Sequence, residues 1–372
     1  MKIKNLFSLL FVCAVGFAAV SCSDDDDPKW NDDGSKVVLP EHRMFILNEG
    51  SFNLNNACIE FYAPKKDADI IDDIFYKQNG VRLGDTAQDM IGYKGNIYVA
   101  VYRSNYLAKL NAACVEETRV SFIGDPDLQA GIRYMAAEDG YIYASFHGGV
   151  VAKINAKTLQ VEAKLHVGSN LEGVAIEDDN LYVANSYSQG ESGYVYFTDV
   201  FVIDLRTFTK KETLTVVKNP NDVIEEDDKV FVISHDYGRE SYVLQMIDPA
   251  ANNSVKELCY ATQMAGGNDM LYIVDSRTDY SSKPWTAHNT FSTYNIKTGK
   301  LNQTSFLKNA PVELGTASIY MMVVDDETGD IYLGVTHYAD SNGEMYRFKK
   351  DGTFVEKFDC GGQNPRRAVF FD

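Results

Sequence analysis

His147, His235 and His337 each close a short apolar run, and imidazole is the side chain best suited to metal ligation and to proton transfer near neutral pH. Metal–nitrogen bonds of about 2 Å would require three separate loops to fold inward together. Hydrogen bonding to loops or to a ligand is therefore expected, and no metal is predicted. Cys58, Cys114, Cys259 and Cys360 match no disulfide framework in their spacing, so small buried thiols are expected, although Cys58 and Cys360 fall in adjacent repeats and could meet. The chain has no Gly-x-Ser-x-Gly, no His-Glu-x-x-His, no phosphate-cradling glycine loop and no Cys-x-x-Cys. The acidic stretch from Asp325 to Asp330 lacks the spacing of a calcium loop. With no catalytic signature, a binding protein without a resident cofactor is expected.

Aromatic rings, amides and arginines are concentrated in the segments that follow each apolar run. The candidate ligand contacts are Asn48, Tyr102, Arg103, Tyr106, His147, Tyr187, Gln189, His235, Tyr237, Arg239, Trp285, Tyr338 and Gln363. Rings cover flat apolar faces, whereas amides and guanidinium groups read polar edges. Bulky loops on a rigid scaffold are where binding sites form.

The elements that carry these loops recur. Seven short apolar runs centre on Phe45, Tyr98, Tyr143, Tyr182, Phe231, Tyr272 and Tyr332, at steps of 53, 45, 39, 49, 41 and 60 residues. These steps are close to the length of a four-stranded propeller blade. Each run, strand B, is followed by a hairpin of strands C and D. Most repeats also show a short strand A ahead of B, such as Gly173-Val174-Ala175-Ile176. The first repeat lacks a strand A, and the chain ends in a surplus strand, Arg367-Ala368-Val369-Phe370-Phe371. The prediction is an all-β, seven-bladed β-propeller over residues 41–372, closed by the C-terminal strand joining the first blade. Its B-to-C and D-to-A loops share one face, and the tight A-to-B and C-to-D turns share the other. The legible strand A segments offer mainly small apolar residues to the axis, where a catalytic site would need acids or histidines.

Lys2 and Lys4 precede an apolar run that stops at Ala19-Val20-Ser21-Cys22. Residues 1–21 thus read as a lipoprotein signal peptide, and Cys22 as the lipidated mature N-terminus. Residues 22–40, with Asp24-Asp25-Asp26-Asp27, read as a solvated acidic tether. The formal charge of −18 becomes −20 once Lys2 and Lys4 are removed. Such acidity repels phosphate backbones, so no nucleic-acid partner is expected, and the membrane is reached only through the lipid on Cys22.

Four features together carry a resemblance: the lipobox, the aspartate run, Ile46-Leu47-Asn48-Glu49-Gly50-Ser51-Phe52, and Asn79-Gly80-x-x-Leu83-Gly84-Asp85-Thr86-Ala87-Gln88. The chain from Cys22 to Asp372 resembles the YncE-like propeller lipoproteins of Bacteroides-type bacteria, most of all the cobalamin-binding BtuG group. The resemblance implies a lipid-anchored, surface-exposed outer-membrane protein that captures a corrinoid and passes it to a TonB-dependent transporter. A glycan-binding surface lipoprotein and a propeller lyase or lactonase are the alternatives.

Overall fold

All seven aromatic-centred runs form strands that lie second from the axis of a four-stranded antiparallel sheet, and seven such sheets form the ring. The structure, a computed structural model, describes residues 34–40, 42–64, 70–281, 283 and 286–371. Cys22 with the signal and most of the tether, and Trp285, lie outside the described residues. Strand B is buried along nearly its whole length because neighbouring blades cover both of its faces. The repeated aromatic explains the period, since it spans the gap to the next blade. The Tyr98 hydroxyl donates to the Ala156 carbonyl at 2.7 Å and the Tyr182 hydroxyl to Asn253 Oδ1 at 2.8 Å. Tyr143 packs on Phe208, and Phe231 meets Tyr294 edge-on. Burying each such ring stabilises the ring of blades by about 2 kcal/mol.

The closure is as predicted. Pro365–Phe371 is the innermost strand of the first blade and pairs antiparallel with Arg43–Asn48, in a register that sets Met44 opposite Phe370 and Ile46 opposite Ala368. Neither end of the chain then leaves an open seam between the first and seventh blades.

Packed structure begins slightly ahead of residue 41. Val37 and Leu39 rest on the core shared by blades one and two, and the Lys36 amide donates to Gln78 Oε1 at 2.8 Å. Arg43 reaches the Ala112 carbonyl at 2.9 Å, while His42 stands 3.4 Å from Asp325 and 3.3 Å from Glu327. Ala112, Asp325 and Glu327 belong to C-to-D and A-to-B turns, so the chain enters the ring across the turn face.

The turns of that face follow from simple chemistry. Lys94-Gly95, Asp139-Gly140, Asp178-Asp179, Asp227-Asp228 and Asn268-Asp269 take positive φ at both central positions, as tight two-residue hairpin turns demand, and this selects Gly, Asn and Asp. Together with Glu138, Glu177, Glu225 and Glu226 at the strand ends, they set a crown of carboxylates around the lower mouth of the axial channel. Burial and neighbouring acids push Glu177 and Glu226 up to about 7.

Candidate functional site at the axial mouth of the loop face

The opposite mouth corrects the expectation of an apolar axis. The lower parts of the inner strands are indeed small and apolar, with Met135, Ala136, Val174, Ala175 and Val223 facing the channel. The upper ends are polar. Six of the seven inner strands begin with a break in register against strand B. The skipped residues are Arg366 in blade one, Gln88 in blade two, Arg133 and Tyr134 in blade three, Glu172 and Gly173 in blade four, Asn221 in blade five and Tyr320 in blade seven. A bulge adds an unpaired residue and re-aims its side chain. Here nearly all of the extra residues are polar or aromatic and gather at the axial mouth.

They are knitted by charge. Arg133 grips Glu172 through Nε and Nη2 at 2.9 and 2.6 Å and lies over the Tyr102 ring. His147 bridges the Tyr102 hydroxyl at 3.2 Å and Glu172 at 3.1 Å. Burial would raise the Glu172 carboxyl, but Arg133 and His147 together hold it below the usual range. Arg367 pairs with Asp89 at 2.9 Å. Arg366 lies near the rings of Tyr134 and Tyr320, 3.9 Å from Glu49, which also accepts the Tyr320 hydroxyl at 2.8 Å.

Beside this cluster, over blades five to seven, opens a cavity of about 590 Å³. Tyr237, Tyr242, Tyr280 and Tyr338 form its walls, and Asp222, Gln263, Tyr320 and Arg366 are polar and aromatic groups of its inner-strand floor. An aromatic belt of eight rings runs around the rim to it. Tyr102, His147, Tyr187, Tyr194, Tyr196, Tyr237, Tyr242 and His235 follow one another with centroid separations between 3.9 and 6.3 Å. The long hairpin of Asn180–Gly190 and Gly193–Asp204 carries the middle of the belt. Tyr194 and Tyr237 stay 57% and 63% exposed. Rings held this open to water offer apolar faces to a ligand and not to the core.

Of the predicted contacts, His235, Tyr237, Arg239 and Tyr338 line the cavity, and Tyr102, His147 and Tyr187 belong to the adjoining belt. Gln189 is exposed on the long hairpin, opposite Tyr194. Arg239 is already engaged by Glu257 at 2.9 and 3.2 Å. Arg103 is exposed over Phe52, on the far side of the rim. Asn48 and Tyr106 are buried away from the cavity. The Asn48 amide donates to the Cys360 carbonyl at 2.6 Å, and the Tyr106 hydroxyl donates to the Leu83 carbonyl. Gln363 is spent on Ser51, Asn56 and Ala339. The three histidines stand apart, each beside its own carboxylate: Glu172, Asp222 or Glu344. All four cysteines of the ring are free thiols, with Cys58 and Cys360 on either side of Asn48.

The residues missed from sequence are Asp222, Gln263, Tyr320 and Arg366 on the floor and Tyr242 and Tyr280 on the walls. A signal for the floor was present. Polar pairs at matching positions of the repeat, Gln88-Asp89, Arg133-Tyr134, Asn221-Asp222 and Arg366-Arg367, each precede a short apolar run.

A family profile described as a domain of unknown function (DUF5074) matches residues 42–195. No protein with a curated description matches the chain by sequence. Among solved structures, a quinoprotein alcohol dehydrogenase-like protein from Bacteroides thetaiotaomicron is similar, with a TM-score of 0.62 and 14% identity over 89% of this chain and 78% of that one. The hydrazine synthase of Kuenenia stuttgartiensis aligns with a TM-score of 0.55 and 13% identity, covering 69% of this chain and 74% of that one. The WD40 domain of Neurospora crassa Pan2 aligns at 0.52 and 8%, covering 73% and 79%. At such identities the likeness is one of fold, and the fold is the seven-bladed propeller.

Proposed function

We propose that this protein is a surface receptor, lipid-anchored through Cys22 in the outer membrane, that captures a corrinoid at the loop-face cavity and passes it to a TonB-dependent transporter. The observation that supports this most is the cavity itself: wide, walled by four tyrosines, floored by polar groups and continued by an aromatic belt. A corrinoid is a broad, nearly flat ring edged with amides. It needs large apolar faces beneath it and donors and acceptors around its rim. His235, Tyr237 and Tyr338 are the contacts proposed within the cavity, with Tyr187 extending the platform. The resemblance to the BtuG group points the same way.

Isothermal titration of the intact chain with cyanocobalamin tests the proposal. Saturable one-to-one binding at submicromolar ligand is expected, and Tyr237→Ala should weaken it roughly tenfold, the equivalent of about 1.4 kcal/mol. Absence of heat at micromolar ligand would sink the corrinoid. The stacked Tyr194 and Tyr196 pair is also a platform on which sugar rings settle, so binding of neutral oligosaccharides in a parallel titration would move the assignment to glycans.

A further inference from the structure

We infer that Asp222 and Arg366 form a carboxamide-reading pair on the cavity floor, the carboxylate accepting an amide N–H of the ligand and the guanidinium donating to its carbonyl. The inference rests on the proposed function only for the identity of the amide's bearer. Both side chains line the same cavity, and each influences the ionisation of the other. Among the described residues they do not close on each other as an ion pair. The one oppositely charged partner of Asp222 among the described residues is His235, at 3.8 Å, and that of Arg366 is Glu49, at 3.9 Å.

The donors of Arg366 are not exhausted. One amino group goes to the Tyr134 hydroxyl, while the buried Nε has no acceptor among the described residues. The guanidinium lies 5.8 Å from the Tyr134 ring centroid and 5.5 Å from that of Tyr320. Burial acts to raise the Asp222 carboxyl, but His235, Arg367 and Arg366 outweigh it and lower it to about 2. Asp222 is therefore an obligate acceptor at any ordinary pH.

Local charge balance selects the ligand class. Three carboxylates, Asp222, Asp236 and Glu240, and three guanidinium groups, Arg239, Arg277 and Arg366, line the cavity. An anion would gain from Arg366 but meet Asp222, and a cation the reverse. Each would also lose its own hydration. A primary amide offers a donor and an acceptor about 2.3 Å apart on one planar group, carries no net charge, and satisfies both partners at once. Asn221, Gln263, Thr262 and Ser318 line the same cavity with further neutral donors and acceptors.

The test compares cyanocobalamin with its monocarboxylates, in which one side-chain amide is hydrolysed, by calorimetry on the intact chain. At least one monoacid isomer should bind the wild type roughly tenfold or more weakly than the amide form. Asp222→Asn should bring that isomer to within about threefold, because the like-charge opposition is gone. Arg366→Gln should weaken the amide form itself. Melting curves of both variants establish that they fold. Equal binding of every monoacid to the wild type, or discrimination that persists in Asp222→Asn, overturns the pair while leaving the corrinoid assignment standing. If neither corrinoid form binds, the proposed function fails and the pair is judged on nicotinamide against nicotinate by ligand-observed NMR. A preference for nicotinamide that disappears in Asp222→Asn supports the pair, and no preference or no binding overturns it.

Discussion

Glu60 is buried beneath the closure of the ring, with its Oε1 lacking a partner among the described residues. Burial first, then the neighbouring Asp72, pushes its carboxyl up to about 8, against the pull of the Asp73 amide at 3.2 Å. A raised carboxyl favours the protonated form in the folded chain. Its contribution to stability is complete below about pH 4.5, the unfolded value, and is lost as the pH rises through 8. Glu60→Gln should therefore melt close to the wild type at pH 5 and several degrees above it at pH 8.5, as followed by circular dichroism. A variant that trails the wild type at both pH values would refute this. At the scale of single residues the sequence was only partly legible. Tyr237 and Tyr338 were legible because aromatic residues gathered in loops have no strand pattern to satisfy, whereas Tyr194 and Tyr196 lie on the strand Gly193–Asp204 and were not. The floor showed only as a recurring polar pair, because a bulge breaks the alternation that tells which way Asp222 or Arg366 points, and charged residues at the head of a strand look like loop.

Strands and their order were the most legible level, for a physical reason. Each strand B is covered on both sides and bridged by one aromatic ring, so the constraint repeats at every blade and shows as a period. The unpaired first repeat and the surplus last strand likewise have one economical solution, which the register between Arg43–Asn48 and Pro365–Phe371 bears out. Removing residues 365–372 would expose the edge of Arg43–Asn48 and uncover Met44, Ile46 and Tyr332, which share a core with Ala368 and Phe370. It would also remove Arg366 and Arg367 from the mouth. A chain ending at Asn364 should lose its cooperative thermal transition altogether instead of shedding one blade. Unchanged melting of the truncated protein would show that the ring holds without its clasp.

Across the whole molecule the two faces differ in charge. The cavity is locally balanced, whereas the turn face crowds carboxylates around the channel, and the excess of acidic residues is paid out mainly away from the ligand site. Glu177 and Glu226, raised to about 7, favour the fold at low pH and oppose it as the pH climbs through 7. Glu172 and Asp222, held below the usual range, support the fold above about pH 4 and cease to as the pH falls toward 2. The melting temperature should therefore peak near pH 5. At pH 8, adding 0.5 M NaCl should raise it, since screening relieves the repulsion within the crown. A melting temperature that falls steadily from pH 8 to pH 5 would contradict the assignment of the crown as a destabilising feature.

The contacts of Lys36, His42 and Arg43 at the turn face also bear on orientation. A ring leashed by its N-terminal end, as the proposed lipid on Cys22 would leash it, stands with its acidic crown toward the anchor and its cavity looking out into the medium. That posture suits interception of a scarce solute. It is the wrong way up for delivery to a partner in the same membrane, so transfer would require the ring to tip over on its leash, and shortening residues 23–33 would then impair delivery while leaving capture intact.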